Sequence, residues 1–300
     1  MEIFAKHMPF FKGNLHMHTT RSDGVLSPEA ACALYRQHGY RFVSLTDHDT
    51  VGADSHFEEN LLVLSGIELA FELPAEELHI VGIGVPASLE RSLDIRLGPQ
   101  AAIDTIVQSG GRALLAHPAW SLLTPGTISG LRGLSGAEIY NSMSTAPRNC
   151  LRADASAVLD VAAAHGCVLP LYAADDAHFY EGEHCKSYIM AQMPSLTQAS
   201  LWDALDGSRF YASQGPAITR LAVEEDQILL ECSPVSSVIF YSNLCWVGGR
   251  CRTGRNLTQS RYDLRGQRGE TFVRCQIMDE HGRSAWTNPI IIDRPSRQNA

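Results

Sequence analysis

The side chains that could do chemistry here are histidines and carboxylates set at telling intervals. His16 and His18 form an H-x-H pair, Asp23 follows in the loop Thr20-Arg21-Ser22-Asp23-Gly24, and His48 sits between Asp47 and Asp49. Glu68, His79 and His117 come next, and Asp176 with His178 makes a D-x-H pair. Strand side chains alternate with a period of two, so each pair projects to one side and two donors can share a cation. A lone histidine on an apolar strand is ordinarily a core or surface residue. Nine ligand-type residues at the ends of successive apolar runs are another matter, because buried unpaired imidazoles and carboxylates are unfavourable. They point to a metal cluster. Nitrogen and oxygen donors without cysteine suit Zn²⁺, Mn²⁺ or Fe²⁺ and are too rich in imidazole for Mg²⁺ or Ca²⁺ alone. Two such ions bridged by a carboxylate lower the pKa of a shared water and neutralise attacked and leaving oxygens, which is hydrolytic chemistry.

An anionic substrate would also need cationic donors, and Arg21 in the first loop is the best placed, with Arg148 and Lys186 further off. Tyr140 and Asn141 end an apolar run and are candidates to touch an organic group. Asp47 and Asp49 either orient His48 or cap the loop after its strand. His38 and His165 each precede a glycine at a predicted helix end, where positive charge suits the helix dipole; His7, His56 and His281 have no partner pattern, and His184, beside Cys185 and Lys186 just after the D-x-H pair, either lines the site or lies in a solvated loop.

These residues need elements to hold them. Up to Ser213 short β-branched runs alternate with helical stretches, the signature of βα units around a parallel sheet or barrel, whose active sites lie at the C-terminal strand ends. Predicted strands cover 14–18, 41–46, 61–71, 77–85, 112–116, 137–140, 168–173 and 188–193. Predicted helices begin after the Ser27-Pro28 cap and cover 99–109, 151–165 and 195–205. Beyond Ser213 short alternating strands (228–232, 238–241, 271–278, 289–292) follow without a convincing helix, which reads as a small β-sandwich. We place the boundary at Gln214-Gly215-Pro216, giving units 1–213 and 214–300.

With 300 residues, 45% of them hydrophobic and 19% charged, the composition is that of an ordinary globular protein and excludes wholesale disorder, collagen-like repeats and coiled coil. No apolar run approaches a membrane span, and the patch Met8-Pro9-Phe10-Phe11 is too brief for a signal-peptide core, so a cytoplasmic location is expected. Eight scattered cysteines without a C-x-x-C pair match neither a disulfide framework nor a zinc ribbon. Residues 1–212 hold 24 acidic against 13 basic side chains, whereas 213–300 hold nine against eleven. An acidic catalytic half argues against a generic nucleic-acid binder.

His16-Met17-His18-Thr19, Ser22-Asp23-Gly24, Thr46-Asp47-His48-Asp49, Gly66-Ile67-Glu68, Ala116-His117-Pro118 and Asp176-Ala177-His178 resemble the polymerase and histidinol phosphatase (PHP) metal-dependent phosphoesterases, over residues 12–215. The tail around Ala285-Trp286-Thr287-Asn288-Pro289 is similar to the β-domain of the carbaryl-hydrolase-like branch. The resemblance implies an α/β fold, a distorted (β/α)7 barrel followed by a small all-β domain. It also implies two to three divalent ions: one on His16, His18, Glu68 and Asp176, a second sharing Glu68 and adding His79 and His117, a third on Asp23, His48 and His178. Where PHP proteins commonly have Gly-Ser before the aspartate, this chain has Ala174-Asp175, and Asp175 could compete with Asp176 as ligand. The expected activity is attack of a metal-bridging hydroxide on a small phosphate ester, with Glu68, Asp176, His178 and Arg21 at the reacting group. Two other readings stay open: hydrolysis of a carbamate, carboxylic ester or amide, and a nuclease gripping nucleic acid through tail arginines such as Arg250, Arg252 and Arg255.

Overall fold

The computed structural model describes residues 1–5, 7–265 and 269–292; Lys6, Arg268, Asp293, Arg294 and Arg297, counted in the charge balance, fall outside them. After β1 (Glu2–Phe4) and β2 (Phe10–Asn14) comes helix α1 (Pro28–Gln37), whose cap Ser27 accepts a hydrogen bond from the Ala30 N–H. The chain continues through β3 (Phe42–Leu45), β4 (His56–Glu58), β5 (Leu61–Leu73), β6 (Glu76–Ile83), α2 (Pro99–Gln108), β7 (Arg112–Leu115), α3 (Pro125–Gly130) and β8 (Leu134–Asn141). It then runs through α4 (Ser156–Ala164), β9 (Leu171–Ala174), β10 (Tyr188–Gln192), α5 (Gln198–Asp206) and β11 (Phe210–Ser213). β12 (Ile218–Glu224), β13 (Gln227–Ser242), β14 (Cys251–Asp263), β15 (Phe272–Met278), β16 (Ser284–Thr287) and β17 (Ile290–Ile291) complete it. No helix among the described residues is long and apolar enough to cross a membrane.

This is a mixed α/β fold with one extended sheet and few helices. β2, β3 and β5 pair in parallel, β5 then turns back antiparallel into β6, β6 pairs antiparallel with β7, and β7, β8 and β9 are parallel. A parallel bridge between Met17 and Ala177 joins the last of these strands back to the first. The reversal at β6 matters for the site. His79 lies in the first half of β6, not at a C-terminal strand end as the sequence reading had it, and the antiparallel direction is what brings it to the same end as the others.

Helix α4 starts later than expected because residues 153–155 are taken up by β8: Asn141 N–H donates to the Ala153 carbonyl and Ala155 N–H to that of Ile139. In the tail, two expected strands are one, β13, whose register breaks between Glu231 and Val235 around Pro234, a residue with no N–H to offer the ladder. All pairings of β12 to β17 are antiparallel. The tail is stitched to the first half: β1 pairs with β12, β11 pairs with β16, and Trp286, 1% exposed, packs in the same core as Ile139, Leu159 and Ala173 while stacking on Tyr140.

Candidate metal centre

The ligand-type residues converge because the backbone continues in register past the regular strand ends. His18 N–H donates to the Ala177 carbonyl at 2.9 Å, Asp176 N–H to the His16 carbonyl at 2.9 Å, and His48 bridges in parallel to Glu68. Asn14 ties both segments, donating from Nδ2 to the His16 carbonyl and accepting the Asp175 N–H. Gly24 lets the first loop fold back, since a Cβ there would lie 2.4 Å from the His18 carbonyl oxygen. Asp176 (φ 55°) and His117 (φ 29°) occupy the left-handed region, strain that persists where surrounding bonds hold it.

Six of the nine expected ligands are buried, His48 and His178 are half-buried and Asp23 is exposed, and the donor atoms of the nine fall into three groups whose members lie within 4.8 Å of one another: His16, His18, Glu68 and Asp176; Glu68, His79 and His117; and His18, Asp23, His48 and His178. Glu68 sits between the first two. Its Oε2 lies 3.1 Å from His16 Nε2 and 3.0 Å from His18 Nε2, and its Oε1 lies 2.8 Å from His79 Nδ1 and 3.2 Å from His117 Nε2. Asp176 Oδ1 is 3.2 and 3.1 Å from the same His16 and His18 nitrogens. His18 also turns Nδ1 toward Asp23 Oδ1 at 3.6 Å, and His178 Nε2 lies 3.5 Å from Asp23 Oδ2. The Asp23 side chain is 57% exposed, so this third group is the open one. A cavity of about 130 Å³ lies over the cluster, walled by Trp120, Met143, Ser144 and Asn149.

The electrostatics fit bound cations. Burial works against charge on Glu68, yet the surrounding imidazoles, His16 first, hold its carboxyl well below the usual range, and Asp176 is lowered in the same way. In return the carboxylates overcome burial and push His18 up to about 9 and His16 well above its ordinary value. Among protein groups alone, then, the carboxylates stay ionised by making neighbouring rings hold extra protons. Divalent ions would supply that charge instead and leave the rings neutral, as ligands must be. His18 Nδ1 and Asp176 Oδ1 are buried without a hydrogen-bond partner, which suits atoms that would hold a cation.

Further groups aim the ligands, and sequence reasoning missed most of them. Glu138, 3% exposed on β8, accepts a hydrogen bond from His16 Nδ1 at 2.7 Å through Oε1 and from His117 N–H and Asn141 Nδ2, each at 2.8 Å, through Oε2. A carboxylate inside the apolar run Gly136-Ala137-Glu138-Ile139 was the available signal. Ser121 Oγ lies 3.0 Å from His117 Nδ1, and His178 Nδ1 donates to the Asp176 carbonyl at 2.8 Å. Asn141 touches Asp176 Oδ2 at 3.2 Å rather than facing outward as an organic contact. Asp47 braces the first loop, accepting from Thr19 N–H, Thr19 Oγ1 and Ser22 Oγ.

Two expected neighbours stand apart. Asp175 does not compete with Asp176: its buried carboxylate accepts the N–H groups of Cys185, Lys186 and Ser187 and the Tyr35 hydroxyl, while burial pushes its carboxyl up to about 6. Arg21 rests against Gly52 and lines another cavity with Glu29, Cys32 and Glu58.

No family profile matches the chain. Among curated proteins, a segment is 34% identical over 79 residues to the 5'-3' exoribonuclease Rnm of Escherichia coli, covering 24% of this chain and 27% of that protein. It is 38% identical over 78 residues to a 5'-3' exoribonuclease of Haemophilus influenzae, covering 24% and 28%. The match thus spans about a quarter of these relatives' length. Among solved structures, a two-domain protein from Bacteroides vulgatus, described as containing a predicted PHP-like metal-dependent phosphoesterase, superposes with a TM-score of 0.55 at 15% identity over 95% of both chains. The chain therefore shares its overall fold with that PHP-like protein.

Proposed function

We propose that this chain is a metal-dependent phosphoesterase acting on a small phosphate ester. The carrying observation is Glu68, one oxygen turned to His16 and His18 and the other to His79 and His117. In this reading Asp176 completes the first ligand set with His16, His18 and Glu68, and Asp23, His48 and His178 form the third. Bound Zn²⁺, Mn²⁺ or Fe²⁺ would supply water of lowered pKa and offset phosphate charge. The chain's own groups prepare the site: Glu138, Ser121 and the Asp176 carbonyl fix ring orientations, and Asp23 and His178 flank the solvent side where an ester would enter. The linked run of strands from β2 to β9 supports a distorted seven-stave (β/α)7 barrel, and the antiparallel strands from residue 214 onward support a small β-domain docked on it.

A second reading, an exonuclease acting on oligoribonucleotides, is favoured by the exoribonuclease match. Protein loaded with Mn²⁺ or Zn²⁺ is to be assayed on p-nitrophenyl phosphate, an aryl acetate, an aryl carbamate and a phosphorylated oligoribonucleotide. Release from the phosphate monoester is expected. Mononucleotide release without monoester turnover would transfer the assignment to the exonuclease, and turnover of the acetate or carbamate alone would overturn both.

A further inference from the structure

An imidazole that is to hold a cation needs its ring fixed, and this cluster fixes its rings unevenly. His16 is held through Nδ1 by Glu138 at 2.7 Å, and His117 through Nδ1 by Ser121 Oγ at 3.0 Å. His79 has no comparable partner among the described residues. Its Nδ1 is turned to Glu68, and its Nε2 lies 3.5 Å from Oε1 of Glu77, whose side chain is 43% exposed. A contact that long to a solvated carboxylate orients a ring only weakly.

Ring packing takes over the task. Trp120, in the turn after β7, sets its half-buried indole edge-to-face against both neighbouring rings, 5.9 Å from His79 at 67° and 4.9 Å from His117 at 79°. The two imidazoles lie 4.8 Å apart at 70°, so the three rings brace one another. The indole is itself held by the segment 142–149, where Nε1–H donates to Asn149 Oδ1 at 2.9 Å. Asn149 is anchored in turn, its N–H donating to the Thr145 carbonyl at 2.9 Å.

His79 and Trp120 also form a partition. Both line the metal cavity, and both line a wide cleft of about 770 Å³ outside it, together with Glu77, Leu122 and Arg152. Removing the indole joins the two spaces and admits water to His79 from the cleft.

Resting on the assignment of Glu68, His79 and His117 as one ligand set, we propose that Trp120 is a positioning residue for His79 and that its hydrogen bond to Asn149 is the latch that keeps it there. An ion of that set is then shielded by the indole and leaves only after the latch opens, whereas the set containing the exposed Asp23 exchanges freely.

The test follows zinc release from the loaded protein to excess 4-(2-pyridylazo)resorcinol by absorbance, with His79→Ala identifying the phase of this ligand set by abolishing it. Trp120→Ala should accelerate that phase at least about tenfold, as expected for loss of an orienting neighbour. Asn149→Ala should accelerate it about fivefold, the factor that one neutral hydrogen bond carries. Both should leave the other phases within about twofold. Trp120→Phe keeps a ring without the N–H and should fall between wild type and Trp120→Ala, and Asn149→Asp keeps an accepting oxygen and should restore the wild-type rate. Equal acceleration of all phases would mark a general loosening and overturn the latch, as would an unchanged phase in Trp120→Ala. A wild-type protein with no phase that His79→Ala removes would overturn the ligand assignment, and the latch with it.

Discussion

Replacing Glu138 by glutamine should disable one metal position without touching a ligand. The two oxygens of Glu138 serve three donors: His16 Nδ1–H at 2.7 Å, and the His117 N–H and Asn141 Nδ2–H at 2.8 Å each. An amide presents one oxygen and one NH₂ group, so its NH₂ must face a donor. Turned toward His117 and Asn141 it opposes two fixed N–H groups; turned toward His16 it opposes one, whose proton can move. The second arrangement costs less, and it shifts the His16 proton from Nδ1 to Nε2. That nitrogen lies 3.1 Å from Glu68 and 3.2 Å from Asp176, at the point where a cation would be shared, and a protonated nitrogen cannot ligate. Loss of such an orienting partner weakens metal binding about 10- to 100-fold, or ~1.4–2.7 kcal/mol. Competition with a chromophoric chelator measures it, and elemental analysis after dialysis should show at least one ion lost, with circular dichroism unchanged. Wild-type affinity at every site in Glu138→Gln would refute the tautomer argument.

Chelator treatment should abolish hydrolysis, and Mn²⁺ or Zn²⁺ should restore it; activity surviving exhaustive metal removal would end the metal mechanism. Glu68→Gln should lose turnover and metal content together, since both oxygens are in use, and a full metal complement in that variant would disprove the bridge. Asp175→Asn leaves one accepting oxygen where two now serve three backbone N–H groups, and should cost about 1–3 kcal/mol in a denaturant titration while metal stoichiometry stays at the wild-type value. Trp286→Ala should cost about 3–5 kcal/mol, because that ring, 1% exposed, fills the core under Tyr140, and a chain ended at Ser213 should melt well below the full-length protein; equal melting temperatures would show that the first half needs nothing from the tail.

The H-x-H and D-x-H pairs, the lone Glu68 and the histidines of β6 and the β7 end were legible in sequence because ligand chemistry depends on residue type and local spacing. Helix starts at Ser27-Pro28 and at Pro99 were legible for the same local reason. Contacts between residues far apart in the chain were not. Nothing local tells that Glu138 reaches His16 across 122 positions, that Asp175 belongs to the turn at 185–187 rather than to the histidine and carboxylate cluster, or that Arg21 lies against Gly52. The reversal of β6, the pairing of β1 with β12 and the seating of Trp286 beneath Tyr140 are likewise products of packing. The sequence by itself determined which atoms can bind a cation; only the tertiary structure decided which of them meet and which neighbours hold their protons, because burial and hydrogen bonding act through space between segments that the chain order keeps apart.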